Sequence, residues 1–335
     1  MGKFEDLTYR GQVRWLKQLA DEAVLCFPVK MARLDFIQHG ENATFKVTDF
    51  KSKSYLLKIH RLNYHTENQI KSELSWLRHL SKKTDLKIPI PLNSRQRNYL
   101  VKAKNSHFPE GRLVSMYHWI DGKFINKKIN REQLFQIGEM MAALHNSVQG
   151  RKSIRNYWDL QGLIGPNTHF GVLKDIQGIS QAQVRKLEAG RKLVFSKIKK
   201  YHKKYPKSFG LIHADFHFGN LLWLKEKSFA LIDFDDCGMG FFLYDLGIPL
   251  VALKSQLEIK SPKELEKGRS QLIAGYRSQR PLPDAELAYL EYFIMARRLL
   301  MTVWLNSRRD HPRLRKYLKG FVKNALDDLM KLNLK

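Results

Sequence analysis

Residues 211–220 read LIHADFHFGN, and residues 231–245 read LIDFDDCGMGFFLYD. Each stretch sets a carboxylate against an apolar run, Asp215 in the first and Asp233 in the second. Short apolar runs bounded by turn residues are the pattern of buried strands, where a carboxylate is costly unless a partner or a reaction requires it. Between the two stretches, NLLWL and SFALID read as strands joined by the polar turn KEK. In an antiparallel hairpin the start of one strand lies beside the end of the other. Asn220 and Asp233 are therefore expected to be neighbours, with Asp215 on the preceding loop close enough to join them.

An amide oxygen and a carboxylate oxygen together suit a hard cation such as Mg2+, which takes one or two protein oxygens and fills its remaining positions with water and phosphate. A third carboxylate, not needed by the metal, can accept a proton from a hydroxyl. That is the set required for in-line phosphoryl transfer. Asp215 is the expected catalytic base, and Asn220 and Asp233 are the expected metal ligands. His213, Asp215 and Asn220 also keep the spacing of the kinase catalytic loop H-R-D-x-x-x-x-N, and Asp233-Phe234 begins the D-F-G element that follows it. His213 and His217 are expected to brace the loop. Asp235 and Asp236 extend the acidic cluster and are expected to be exposed turn carboxylates, the alternative being that one touches a second metal, and Cys237 has no base beside it to make it a nucleophile.

The remaining sequence alternates in texture. Residues 33–119 read as strands with one helix, and residues 130–335 mostly as helices. EDLTYRGQVRWLKQLADEAV carries Val13, Leu16, Ala20 and Val24 at helical spacing. RLDFIQH, TFKVTDF and SYLLKIH read as an antiparallel meander, and IPIPL, NYLVKA and RLVSMYHWI as further strands. Thr66 and Gln69 form a capping-box signature for a helix whose apolar face holds Ile70, Glu73, Leu74 and Leu77. Glu73 in that position needs a cationic partner. A helix is expected from Arg131, a long one from Asp284 to Asn306 ended by SRRDHP, and a last one within RKYLKGFVKNALDDLMKL. Arg297 lies on the apolar face of the long helix, either in a buried ion pair or reading an anionic group of the substrate.

With 335 residues, 43% of them hydrophobic, the chain is long and apolar enough for a sizeable core and is not a disordered one. Two cysteines exclude a disulfide framework or a zinc ribbon and fit a reducing compartment. MGKFEDLTYR lacks an apolar signal core, and the longest apolar stretch, FFLYDLGIPLVAL, is too short for a membrane span, so a soluble cytoplasmic protein is expected. The net charge of +27 is read first as a solubility feature, with weak polyanion binding through the basic surface as the sharper alternative, and it argues against a cationic acceptor unless the cleft is locally acidic. The densest basic run is residues 191–207, RKLVFSKIKKYHKKYPK, read as the solvated back of a helix.

HADFHFGNLLW, FALIDFDDCGMGFFLYDLG, IGEMMAALH and LLKIHRLNYHTENQIKSELSWLRHL together resemble the aminoglycoside-phosphotransferase-like (phosphotransferase enzyme) family. That group includes bacterial stress-response kinases and homoserine- and choline-kinase-like members. The resemblance spans nearly the whole chain. It implies an α+β, protein-kinase-like two-lobed fold, with an antiparallel-sheet N-lobe over residues 1–118 and a mainly helical C-lobe over 119–335. It implies ATP and Mg2+ as cofactors and a hydroxylated acceptor, either a small molecule or a protein. By the same resemblance Lys58 holds the nucleotide phosphates, Glu73 pairs with Lys58, and Asp245 caps a helix or tethers a loop. Residues 115–119, SMYHW, would be the hinge whose backbone meets adenine, Met116 and His118 included. Ala214 stands where the family commonly has glycine, which is tolerable at a negative φ. Three functions follow for comparison: a metabolite kinase, a protein Ser/Thr kinase of the stress-response type, and an inactive nucleotide-binding scaffold that holds nucleic acid on its basic surface.

Overall fold

The computed structural model describes residues 4–125, 128–148, 153–155, 158–259, 261–309 and 314–333. They divide into two compact units, one of residues up to Gly122 with Ala230–Ile232, the other of Lys123–Phe229 with Asp233 onward. The sequence reading set its boundary at 118/119.

The first unit opens with helix α1 (Tyr9–Val24), capped by the Thr8 hydroxyl, which accepts the Gly11 N–H. Its face of Leu16, Leu19, Ala20, Ala23 and Val24 is buried with Phe45, Val47, Leu57 and Met116 from the sheet. The sheet contains β1 (Met31–His39), β2 (Ala43–Asp49), β3 (Ser54–Ile59), β4 (Val101–Asn105) and β5 (Phe108–His118), in the order β1-β2-β3-β5-β4, antiparallel throughout. The meander read from sequence is thus present. Between β3 and β4 lies α2 (Glu67–Lys83), which begins at the expected capping box of Thr66 and Gln69 and buries Ile70, Glu73, Leu74, Leu77 and Leu80. IPIPL is not a strand. Pro89 and Pro91 have no N–H to give a ladder, and the segment is held instead by the Leu92 N–H on Met116 O at 2.7 Å and the His118 N–H on Ile90 O at 2.9 Å.

After β6 (Gly122–Phe124) the chain runs α3 (Arg131–Asn146), α4 (Leu160–Ile164), α5 (Gln181–Lys204), β7 (Phe209–Ile212), β8 (Leu221–Leu224), β9 (Phe229–Leu231), β10 (Gly238–Phe241), α6 (Phe242–Gln256), α7 (Pro262–Gln279), α8 (Asp284–Leu287), α9 (Leu290–Ser307) and α10 (Leu318–Asn333), all but most of β9 in the second unit. The basic run lies mostly on α5, whose buried face is Val184, Leu187, Val194, Ile198 and Tyr201. α3 and α7 touch backbone to backbone. A Cβ on Gly138 would lie 2.1 Å from Leu272 O, and one on Gly275 would lie 1.9 Å from Phe135 O.

The long helix expected from Asp284 is broken. The Tyr289 N–H turns back to Glu286 O and the Tyr292 N–H to Tyr289 O, in place of the regular i−4 ladder. At this step Glu286 is buried and accepts the Tyr201 hydroxyl at 2.8 Å, while Tyr289 packs its ring on Tyr201. α9 then ends at Ser307, within the expected SRRDHP stop, whose residues 310–312 lie outside the described residues. No described helix is long and apolar enough to cross a membrane.

Candidate active site

Two loops leave the same end of one short ladder. β7 and β10 pair antiparallel with Ile212 opposite Gly238. The segment from His213 therefore departs where the segment ending at Cys237 arrives. The sequence reading assigned this convergence to the NLLWL–SFALID hairpin. That hairpin exists as β8 and β9, its turn closed by the Leu224 N–H on Ser228 O at 2.9 Å. The β7–β10 ladder had no such sequence signal, because its glycine-rich partner GMGF does not read as a strand.

The first loop is tied from behind by Asp245, in the first turn of α6. Its Oδ2 accepts the His213 N–H at 2.9 Å and its Oδ1 the Ala214 N–H at 2.8 Å. Of the two roles the resemblance implied for Asp245, it performs the tethering one. His145 Nε2 also reaches Oδ2 at 3.1 Å, and His145 Nδ1 is 2.9 Å from the Tyr276 hydroxyl. A carboxylate can only accept, so the ring proton sits on Nε2 and Tyr276 donates to Nδ1. Burial pushes the His145 pKa down, against the pull of Asp245. Ala214 has φ of +66°, so the condition under which alanine would be tolerated there without strain is not met. The tether holds the residue in the left-handed region that glycine would occupy without strain. His213 braces the loop as expected: it is fully buried, and its Nδ1 accepts the Asp215 N–H at 3.3 Å.

Asp215 receives donors on both oxygens. Arg297 Nη2 lies 2.7 Å from Oδ1, and Oδ2 meets Asn220 Nδ2 at 3.1 Å and His217 Nε2 at 3.3 Å. Gly219 N–H donates to His217 Nδ1 at 2.9 Å, which leaves the His217 proton on Nε2, aimed at the carboxylate. Burial alone would raise the Asp215 pKa. The His217 hydrogen bond, with the Arg297 guanidinium beside it, outweighs burial and holds the group well below the usual carboxylate range. Asn220 Nδ2 also donates to Asp215 O at 2.9 Å. Its amide nitrogen is thereby fixed, which leaves Oδ1 as the acceptor atom of the amide.

The second loop is more buried than expected. Asp235 is buried, at 7% exposure, and Asp236 is half-buried, so neither is the exposed turn carboxylate of the sequence reading. Burial, and then the charges of Asp215, Asp235 and Asp233, push Asp236 up to about 8. The loop is pinned by residues no motif pointed to. Arg155 Nη1 donates to Phe234 O at 3.0 Å, and Trp158 Nε1 donates to Asp236 O at 2.8 Å. Asp233 is exposed and has φ of +62°, a conformation aspartate tolerates better than most residues. Among the described residues no group of three or more His, Cys, Asp or Glu is arranged to hold a metal by itself. A donor set of Asn220 Oδ1 and the Asp233 carboxylate, both hard oxygens, fits a divalent cation that draws its other ligands from water and phosphate.

Arg297 was read either as an ion-pair member or as a reader of substrate anions. Its first arm is on Asp215. The second, Nη1, donates to the Tyr244 hydroxyl at 3.0 Å and lies 3.4 Å from Ala214 O. The ion-pair reading is the one this geometry carries. In the first unit, Lys58 of β3 and Glu73 of α2 form a buried ion pair, Nζ to Oε1 3.8 Å, with Glu73 only 2% exposed. Met116 O and the His118 N–H are both engaged with residues 90–92. Burial, with Lys53 nearby, lowers the His118 pKa.

Residues 33–282 match the phosphotransferase enzyme family. The chain belongs to that family and is a phosphotransferase. A microcompartment-associated aminopropanol kinase structure is similar at 28% identity, with a TM-score of 0.78, over 93% of this chain and 95% of that one. Amicoumacin kinase hAmiN, in complex with AMP-PNP, Ca2+ and Ami, has the same fold at 22% identity and a TM-score of 0.78, over 96% of each chain. The homoserine kinase of Agrobacterium fabrum is 27% identical over 67% of this chain and 64% of its own. An antiparallel-sheet unit followed by a mainly helical one is accordingly the protein-kinase-like architecture.

Proposed function

We propose that this phosphotransferase moves the γ-phosphate of ATP to a hydroxyl of a small amino alcohol. Asp215 is the base that orients the hydroxyl and takes its proton. Asn220 and Asp233 are the Mg2+ ligands, and Lys58, braced by Glu73, holds the nucleotide phosphates. The observation that carries this reading is the hydrogen bond between Asn220 Nδ2 and Asp215, at 3.1 Å, which couples the base to a metal ligand whose oxygen is turned away from it. Mg2+, when bound, neutralises the phosphate oxygens as the group transfers. Since Met116 O, the His118 N–H and the Trp119 N–H already have partners, adenine would meet other atoms of the 115–119 backbone.

The acceptor class follows from local charge. The chain carries +27 overall, yet Asp215, Asp233, Asp235 and Asp236 crowd together here. Once Asp215 is the base and Asp233 a ligand, we assign Asp236 to the ammonium group, whose positive charge favours the ionised carboxylate against the burial and neighbouring charges that raise its pKa. Aminopropanol and homoserine, named for two of the similar kinases, are both amino alcohols. Net charge argued the other way, but charges on the far surface are screened within about 10 Å at ordinary salt.

The test is a phosphate-transfer screen that sets amino alcohols against the matching alcohols without the amine, with generic protein substrates alongside. Mg2+-dependent turnover of the amino alcohols, lost by about 10²–10⁴-fold in Asp215→Asn with the fold retained, is the expected result. Preferred turnover of the amine-free alcohols or of protein hydroxyls overturns the acceptor class. Salt-sensitive nucleic-acid binding with no turnover of ATP would favour the scaffold instead.

A further inference from the structure

We infer that Arg297 is a positioning residue for the phosphoryl-transfer step: it fixes the plane of the Asp215 carboxylate so that one oxygen faces the acceptor hydroxyl. The inference rests on Asp215 being the base. Arg297 comes from α9, 82 residues along the chain, and is 8% exposed. A guanidinium at an otherwise apolar helix face is weak evidence for stability, because burying it costs about as much as its ion pair returns. The geometry gives it another use. The fork spans two consecutive residues of the loop, with Nη2 on Asp215 Oδ1 at 2.7 Å and Nη1 near Ala214 O at 3.4 Å, and Nη1 is anchored on the Tyr244 hydroxyl at 3.0 Å. Two points on the loop and one on α6 define the position of the group.

The donors also divide between the two oxygens. Oδ2 faces Asn220 and His217, while Oδ1 faces Arg297. A carboxylate has about four lone-pair sites, two on each oxygen. Two donors fill Oδ2, and Arg297 takes one site of Oδ1, so the remaining site on Oδ1 is where an acceptor hydroxyl binds. Arg297 is moreover the cation set among crowded carboxylates. Without it, the Asp215 side chain is held only through Oδ2.

The test compares Arg297→Met, Arg297→Lys and Tyr244→Phe with the parent, measuring kcat, the KM for ATP and for the acceptor, and thermal unfolding. Arg297→Met is expected to lower kcat by about 10²-fold with both KM values within about threefold. Arg297→Lys, which keeps one charged donor but not the fork, recovers part of the loss, and Tyr244→Phe, which spares Arg297, lowers kcat only severalfold. A rise in acceptor KM at unchanged kcat overturns the inference in favour of substrate recognition. A lower Tm at unchanged kcat overturns it in favour of a purely structural ion pair. If Arg297→Met does not fold, Tyr244→Phe and Arg297→Lys decide between the same outcomes. The double variant with Asp215→Asn separates this inference from the reading beneath it. If Arg297 acts through Asp215, the double variant is no slower than Asp215→Asn alone. If Asp215→Asn itself turns over like the parent, the assignment of the base is what fails.

Discussion

Asp245 Oδ1 accepts the backbone N–H of Ala214 at 2.8 Å, and Ala214 sits at φ +66°. The same carboxylate accepts the His213 N–H on its other oxygen, together with the Nε2–H of His145. One buried side chain thus satisfies two backbone donors and a ring, and forces the residue before the base into a left-handed conformation. Asp245→Asn puts an amide N–H against one of those donors. Stability should fall by about 2–4 kcal/mol, read from the urea midpoint, and turnover should fall further than unfolding accounts for, because the Asp215 backbone is released.

Ala214→Gly tests the strain directly. A left-handed alanine costs about 1–2 kcal/mol, part of which glycine returns through the entropy of the unfolded chain. The variant should be more stable by about 0.5–1 kcal/mol with kcat unchanged. Ala214→Val, branched at Cβ in the same conformation, should be destabilised. A glycine variant less stable than the parent would mean that the methyl packing matters more than the backbone.

The catalytic stretch was legible because its signals are local. H-x-D-x-x-x-x-N, the capping box of Thr66 and Gln69, and a glutamate on an apolar face all lie within one or two turns of chain. What escaped was tertiary. No spacing rule pairs Arg297 with Asp215, or Arg155 with the carbonyl of Phe234. The φ of Ala214 is imposed by Asp245, 31 residues away. The break at Ala288–Tyr289 follows the aromatic packing around Tyr201, although the sequence there is a good helix. Net charge points away from the proposed acceptor for the same reason. It sums the surface, whereas the site depends on carboxylates within a few ångströms.

His145 gives the fold an acid sensitivity. Burial lowers its pKa from the ordinary value, and Asp245, Tyr276, Phe242 and Arg280 are its charged, polar and stacked neighbours. The unfolded chain then binds a proton near pH 6.5 that the folded chain refuses. Its contribution is fully present above about pH 6.5 and is lost as pH falls below it. Unfolding free energy should decline between about pH 6.5 and 5, more steeply in the parent than in His145→Gln, which keeps a donor and an acceptor but cannot titrate.

Lys58 and Glu73 are buried together, so removing one takes an opposite charge away from the other in a desolvated place. Glu73→Leu should destabilise by about 3–5 kcal/mol. Lys58→Met combined with Glu73→Leu should recover most of that stability, because an apolar pair of similar volume replaces a desolvated ion pair. Activity should not recover with it: the double variant should stay at least about 10²-fold down in kcat/KM, since the group proposed to hold the phosphates is gone. Recovery of both would show that the pair serves the fold alone.

Asp236 should be the reverse case, a residue kept at some expense to stability. Its folded pKa is raised to about 8 by burial and by Asp215, Asp235 and Asp233, whereas the unfolded chain ionises near 3.9. Between those values the folded protein binds a proton that the unfolded chain has lost, so stability declines as pH rises from about 4 to about 8. Asp236→Asn lacks that slope. In chelator-treated protein the variant should therefore gain on the parent steadily across this range, with the widest gap in Tm near pH 8. The cost should appear in binding: the KM for an amino alcohol should rise about 10-fold or more, while that for the matching alcohol without the amine stays where it was. Equal changes for both acceptors would show that Asp236 positions the loop and does not meet an ammonium group.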